Sequence, residues 1–344
     1  MSTISNTTII STRDLPSQGP WPTFDPFLFC VHHNDIYPEA NNKLGPKSSL
    51  SNRNIGQDFS NLNGWNMYHG KTIPGFPKHP HRGFETITIV RNGLIDHADS
   101  LGAAARYGNG DVQWLTAGDG INHSEMFPLL NKTARNPIDF FQIWLNLPAR
   151  SKRVKPHFSM FWDKTIPRKT HIDKNDRATQ FSLIAGRFDG LTAPSPPPNS
   201  WAHPPQNAVR IIYATLDPHA QWTLPVGAER LNRALYFFSG STLKIDQTKV
   251  NNRTLSQIRD TATPTLQAGE KQAEILLLEG MSIGEPVFKH GPFVMNTREE
   301  IIEAFADYRR TGFGGWPWSS TDPIHGHTSR RFARHANAKE EEPS

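Results

Sequence analysis

Apolar and polar residues alternate in short runs along most of this chain, and nearly every run stops at glycine, asparagine or proline. Residues 84–90 (FETITIV) are β-branched and aromatic and close on Asn92-Gly93, a hairpin turn signal. Gly110-Asp111 opens a second run, 112–116, which ends in AGDG at 117–120. FFQIWLNLP at 140–148 alternates in the same way. Later runs follow at 208–216, at 234–239 before Gly240, and at 273–278 before Glu279-Gly280. Such period-two segments predict strands joined as hairpins, and hairpins of this length build small barrels that can hold one ion or ligand. Only one stretch predicts a clear helix, near 298–310. Thr297 and Glu300 have capping-box spacing there, and Ile301, Ile302, Phe305 and Tyr308 form an apolar stripe. TAPSPPPNSW at 192–201 reads as a surface loop.

With 344 residues the chain exceeds the size at which one core stops growing, so two domains are expected. The 36% hydrophobic content supports real cores, and the 25 glycines and 28 prolines favour an all-β architecture. The expected organisation is a polar, poorly ordered segment 1–20, a first barrel 21–165, a second barrel 166–312 that includes the helix, and a tail 313–344. Within it, the apolar piece 24–31 should cover the first barrel, and Pro156 and Pro167 should break the bridge between the two. No stretch is long and apolar enough for a membrane helix, no signal peptide is visible, and the lone Cys30 has no internal disulfide partner. A soluble cytoplasmic protein is expected, or a nuclear one in a eukaryote. The net charge of +5 is diffuse, with small clusters at 150–153 and 330–334. No base-reading motif accompanies it, so direct nucleic-acid binding is not expected.

The candidate chemistry lies in histidines. His79-x-His81 and His123-x-Glu125 are separated by 41 residues. Side chains two apart on a strand share a face, so each pair offers two ligand atoms on one side. Two such strands facing each other across a barrel would give three imidazoles and a carboxylate to one cation, leaving positions open on a first-row transition metal. Glu85, four residues after His81, has the parity to act as an alternative ligand or to orient an imidazole. His325-x-His327 sits in a glycine-rich tail without a rigid frame and is assigned no metal. Trp316 and Trp318 of that tail are expected to dock on a barrel.

HPHRGFETITIV, DHADSLG, GDVQWLTAGDGINHSEM and FQIWLNLP resemble the N-terminal half of pirins, and GEPVFKHGPFVMNTREEIIEAFADYRRTGFG resembles the end of their C-terminal half. The resemblance runs from about Gly56 to Gly314. It implies two tandem cupin barrels of jelly-roll type with one mononuclear metal, usually iron, in the N-terminal barrel. The implied ligands are His79, His81, His123 and Glu125, which places Glu85 outside the ligand set. Where a metal cupin would carry histidines, the second barrel has Glu229, Arg230, Leu231, Asn232 and Arg233, so it is expected to be metal-free.

What the resemblance implies for function is a quercetin 2,3-dioxygenase type of reaction, with Fe(II), or alternatively Mn, Ni, Cu or Zn, acting on a flavonol or related enol or catechol with dioxygen. Glu125 would double as proton acceptor. Phe84, Trp114, Met126 and Phe141 are candidate lining residues. Ala103, Ala104 and Ala105, with the segment NKTARNP at 131–137, depart from the family pattern and are expected near the entrance. The alternative is a redox-responsive iron protein that regulates transcription through protein partners. A purely structural metal fits less well, because structural sites are coordinatively closed.

Overall fold

The computed structural model describes residues 8–343; the first seven residues of the expected polar segment lie outside them. The remainder of that segment is not featureless. Strand β1 (Ile9–Asp14) pairs antiparallel with Thr254–Ile258, so backbone hydrogen bonding orders residues whose side chains give little hydrophobic signal.

The chain forms two compact units. Among the described residues, one contains Thr165–Gly284 together with those up to Cys30, and the other contains Val31–Lys164 and those from Glu285 onward. This differs from the linear boundaries expected at 165/166 and 312/313, because residues from both chain ends cross over. Within 24–31, residues up to Cys30 belong with the second barrel. Trp21 bridges Cys30 and stacks on Tyr236.

Among the described residues, the unit carrying the histidine pairs is built on two large antiparallel sheets, beside a small hairpin of Phe288–His290 and Phe293–Met295. Its strands are β2 (Phe27–Tyr37), β3 (Gly75–His81), β4 (Phe84–Asn92), β5 (Leu94–Asp99), β6 (Ala104–Gly108), β7 (Val112–Thr116), β8 (Ile121–Met126), β9 (Asn136–Asn146) and β10 (His157–Phe161). One sheet has the order β10-β7-β4-β9-β2. The other runs from the C-terminal strands Glu340–Glu341 and Phe332–Arg334 through β6, β5 and β8 to β3. The expected bridge between barrels therefore contributes β10 to the first, and the tail adds two strands. Every residue from Phe84 to Val90 is buried. Thr86 and Thr88 face the interior between the sheets; Glu85, Ile87 and Ile89 take the other face by alternation. Val90, Leu115, Phe140, Phe158 and Met160 form part of the apolar core.

The other unit has a seven-stranded and a four-stranded sheet around Leu183, Ile212, Leu235, Phe237, Leu277 and their neighbours. Arg233 lies buried within it and pairs with Glu279 at 2.6 Å. The helix, α1 (Arg298–Thr311), starts at Thr297 with the expected reciprocal capping box. It buries Ile301 and Ala304 against Phe293, Met295 and Phe313. Ile302, expected in the stripe, is 59% exposed, because the buried face follows Ile301, Ala304, Phe305 and Tyr308. The helix belongs to the unit with the histidine pairs, whereas it was expected with the second barrel.

Candidate metal centre

The two ligand strands are hydrogen-bonded neighbours, which corrects the expectation that they face each other across the barrel. β3 pairs with β8 so that His79 lies opposite His123 and Phe76 opposite Glu125, with a bulge between Phe76 and His79. An extra residue in one strand re-aims side chains. Here Phe76, three positions from His79, reaches the same face as the histidines. β5 flanks β8 on its other side, with His97 opposite Glu125 and Asp99 opposite His123. By alternation, His79, His81, His123, Glu125, His97 and Asp99 all project into the interior.

His79, His81 and His123 bring one nitrogen each to within 4.8 Å of one another. Their ring centroids are 4.4–4.9 Å apart. His81 and His123 are buried; His79 is half-buried. Burial is the main force on all three: it lowers His79 to about 4 and holds His81 and His123 well below the usual imidazole range. The rings are therefore neutral near pH 7, the form that ligates metals. The Pro77 carbonyl accepts from His79 Nδ1 at 2.9 Å, which leaves Nε2 with its lone pair. His123 has neither ring nitrogen hydrogen-bonded, and His81 Nδ1 is also unpartnered. Buried polar atoms without partners are costly. One nitrogen from each of the three rings, gathered within 4.8 Å, fits a cation with imidazole ligands.

Glu125 does not join that cluster. Its carboxylate lies 3.0 Å from Thr88 Oγ1 and accepts from Gln142 Nε2 at 3.1 Å. Burial raises its pKa, opposed by His97 and by these two hydrogen bonds. Glu85 is further removed. Gly83 has φ +85°, and a Cβ there would meet the Val294 carbonyl oxygen at 1.9 Å. Only glycine tolerates that approach, so the chain turns between His81 and Phe84 and enters the other sheet. Parity counted from His81 therefore fails. Glu85 points away from Thr88 and accepts from Thr116 Oγ1 at 2.7 Å.

Of the candidate lining residues, Phe84 stands 5.0 Å from the His81 ring. Trp114 and Phe141 alternate to the opposite face from Gln113 and Gln142, and Met126 packs with Leu44 and Ile73. Ala103 and Ala105 are core residues, and NKTARNP forms an exposed turn held by Asn131. Sequence reasoning missed Trp144, 5.4 Å from His81, and the polar pair Thr88 and Gln142. It also missed His97, whose Nε2 lies 3.2 Å from Asp99. Asp99 is in turn fixed by the amides of Leu101 and Ala103. The signal was present in DHAD, where His97 and Asp99 repeat the two-residue spacing of the ligand pairs.

The chain matches the pirin family profile over residues 12–145 and the pirin C-terminal cupin domain over 211–314. It is 35% identical over 240 residues to a Pseudomonas aeruginosa protein that carries quercetin 2,3-dioxygenase as a provisional name, covering 70% of this chain and 79% of that protein. Human pirin is 30% identical, with 76% of this chain and 87% of the relative covered. The quercetin 2,3-dioxygenase structure from Acinetobacter baumannii superposes with a TM-score of 0.70 at 23% identity, covering 90% of this chain and 98% of the other. Among the described residues, no helix is long and apolar enough to cross a membrane. With two strand-built barrels, three converging imidazoles in one of them and these matches along most of its length, the chain belongs to the pirin family of two-barrel cupins.

Proposed function

We propose that His79, His81 and His123, completed by Glu125, hold one first-row transition metal, with iron(II) the leading candidate, and that the chain opens a flavonol or a related enol or catechol with dioxygen. The observation that carries this reading is the buried, neutral imidazole cluster with uncommitted nitrogens. The provisional dioxygenase name of the 35%-identical relative supports the reaction class. A bound metal would supply Lewis acidity toward the substrate's enol oxygen and a path for electrons between substrate and dioxygen.

The chain's own residues do the rest. Phe84 and Trp144, with ring centroids 4.3 Å apart beside His81, offer an apolar flank for a flat aromatic substrate. Thr88 and Gln142 hold the Glu125 carboxylate, which would complete the ligand set. That carboxylate could also take the proton of the substrate hydroxyl. Pro77 fixes the His79 tautomer.

The test is metal content of the purified protein, followed by an anaerobic titration with quercetin and then oxygen. One metal per chain, a shifted flavonol band and oxygen uptake with ring-opened product are expected. Stoichiometric iron with neither band shift nor turnover would move the reading to a redox-responsive binding protein. No metal after reconstitution would remove both.

A further inference from the structure

Residues 312–328 run across the outer face of the sheet whose inner face carries the histidines, and all but the first three lie beyond the family match, which ends at 314. They touch each ligand-bearing strand in turn. Asn122 of β8 donates to the carbonyls of Gly312 and Gly315. Trp318 Nε1 donates to the Asp99 carbonyl of β5 at 2.8 Å. The Lys78 amide of β3, next to His79, donates to the Thr321 carbonyl at 2.7 Å. Ile324 packs against the small cluster of Leu44, Ile73 and Met126, the last of them on β8.

The crossing then locks onto a buried ion pair. Asp96 and Arg106, both fully buried, face each other across β5 and β6 with contacts of 2.7 and 2.6 Å. Their remaining hydrogen-bonding capacity goes to this segment. Arg106 donates to the Gly326 and Thr328 carbonyls, and the His325 amide donates to Asp96. His325 also places its Nε2 2.7 Å from the His97 carbonyl, so that nitrogen carries the proton.

We propose that this segment is a belt that holds the metal-ligand strands in register, and that His325 is a positioning residue acting through the backbone of His97. The inference rests on the metal reading given above. The path is short: the carbonyl that His325 grips belongs to the residue whose ring stands opposite Glu125 and 5.6 Å from His123. Groups that hydrogen-bond the ligands themselves commonly change metal affinity by about 10–100-fold when removed; His325 acts one residue further out, so its effect is expected at the low end of that range. His325, unassigned by its sequence context, thus serves the centre from outside it.

The test compares wild type, His325→Ala and His325→Gln in the full chain. Ni²⁺ affinity is read by chelator competition, the Co²⁺ absorption spectrum reports ligand geometry, and melting temperature reports the fold. His325→Ala is expected to weaken Ni²⁺ binding about tenfold and to shift the Co²⁺ bands. His325→Gln keeps an N–H of similar reach and should restore both. Equal affinity and spectrum in wild type and His325→Ala overturns the proposal, whatever the melting temperature does. A glutamine variant that loses as much as the alanine also overturns it, since only bulk would then matter. Wild type that takes up no Ni²⁺ refutes the metal centre itself, and that result is read first.

Discussion

The two barrels share an architecture and differ in what fills them. The second is packed with Leu183, Ile212, Leu235, Phe237 and Leu277. Its buried ion pair, Arg233 with Glu279, is joined by the half-buried Arg210, each contact at 2.6 Å. The histidine-bearing barrel instead buries imidazole nitrogens with no partner. A buried polar group left unmatched costs about 1–3 kcal/mol, so a chain keeps several together only where something binds them. Among the described residues, the second barrel leaves only scattered single atoms such as the Thr179 and Ser256 hydroxyls without a partner, whereas the first gathers one nitrogen from each of three rings within 4.8 Å.

The comparison breaks most sharply at the histidines. His79→Ala, His81→Ala or His123→Ala should abolish stoichiometric metal uptake while circular dichroism and oligomeric size stay unchanged. If any one of these variants retains a full equivalent of metal, the ligand assignment fails. In the second barrel the expected effect is reversed. Arg233→Met leaves a buried carboxylate short of a partner and should cost about 3–5 kcal/mol in urea unfolding, with metal per folded chain unaltered.

Smaller effects sharpen the picture inside the metal barrel. Glu125→Gln should weaken metal binding by about 10–100-fold. Glu85→Gln should leave affinity as it is, because that side chain faces Thr116 on the far side of β4. The opposite order, read by the same competition titration, would restore Glu85 as the carboxylate ligand.

The smallest expected effect is on pH dependence. His79 is lowered from 6.5 to about 4 by burial. Between those values the unfolded chain binds the proton and the folded chain does not, so stability falls as pH drops from 6.5 toward 4. Metal-free protein should unfold at lower urea at pH 5 than at pH 7, and His79→Ala should flatten that slope.

Much of this was legible in the sequence. Period-two runs marked the strands, Thr297 and Glu300 marked the helix start, and the His-x-His and His-x-Glu pairs named residues that the fold places on two adjacent strands. What the sequence misled on has identifiable causes. Glu85 was counted from His81 as though one strand continued, but the turn at Gly83 carries the chain into another sheet and reverses the face. Ile9 to Asp14 gave no strong pattern because an edge strand is held by backbone pairing more than by side-chain burial. The polar tail showed only its tryptophans, of which Trp318 does reach β5, since most of its other anchors are carbonyls and amides.

Local alternation and spacing therefore determined the all-β class and the two ligand pairs, because each depends on neighbours within a few residues, while two barrels and one shared cation were what the family resemblance implied. Tertiary structure alone decided which strands lie side by side, that Glu125 rests on Thr88 and Gln142, that His97 and Asp99 join the same face, and that the C-terminal segment belts the ligand sheet. Those contacts pair residues tens to hundreds of positions apart, and strand register and sheet membership, which place them, carry no local signature.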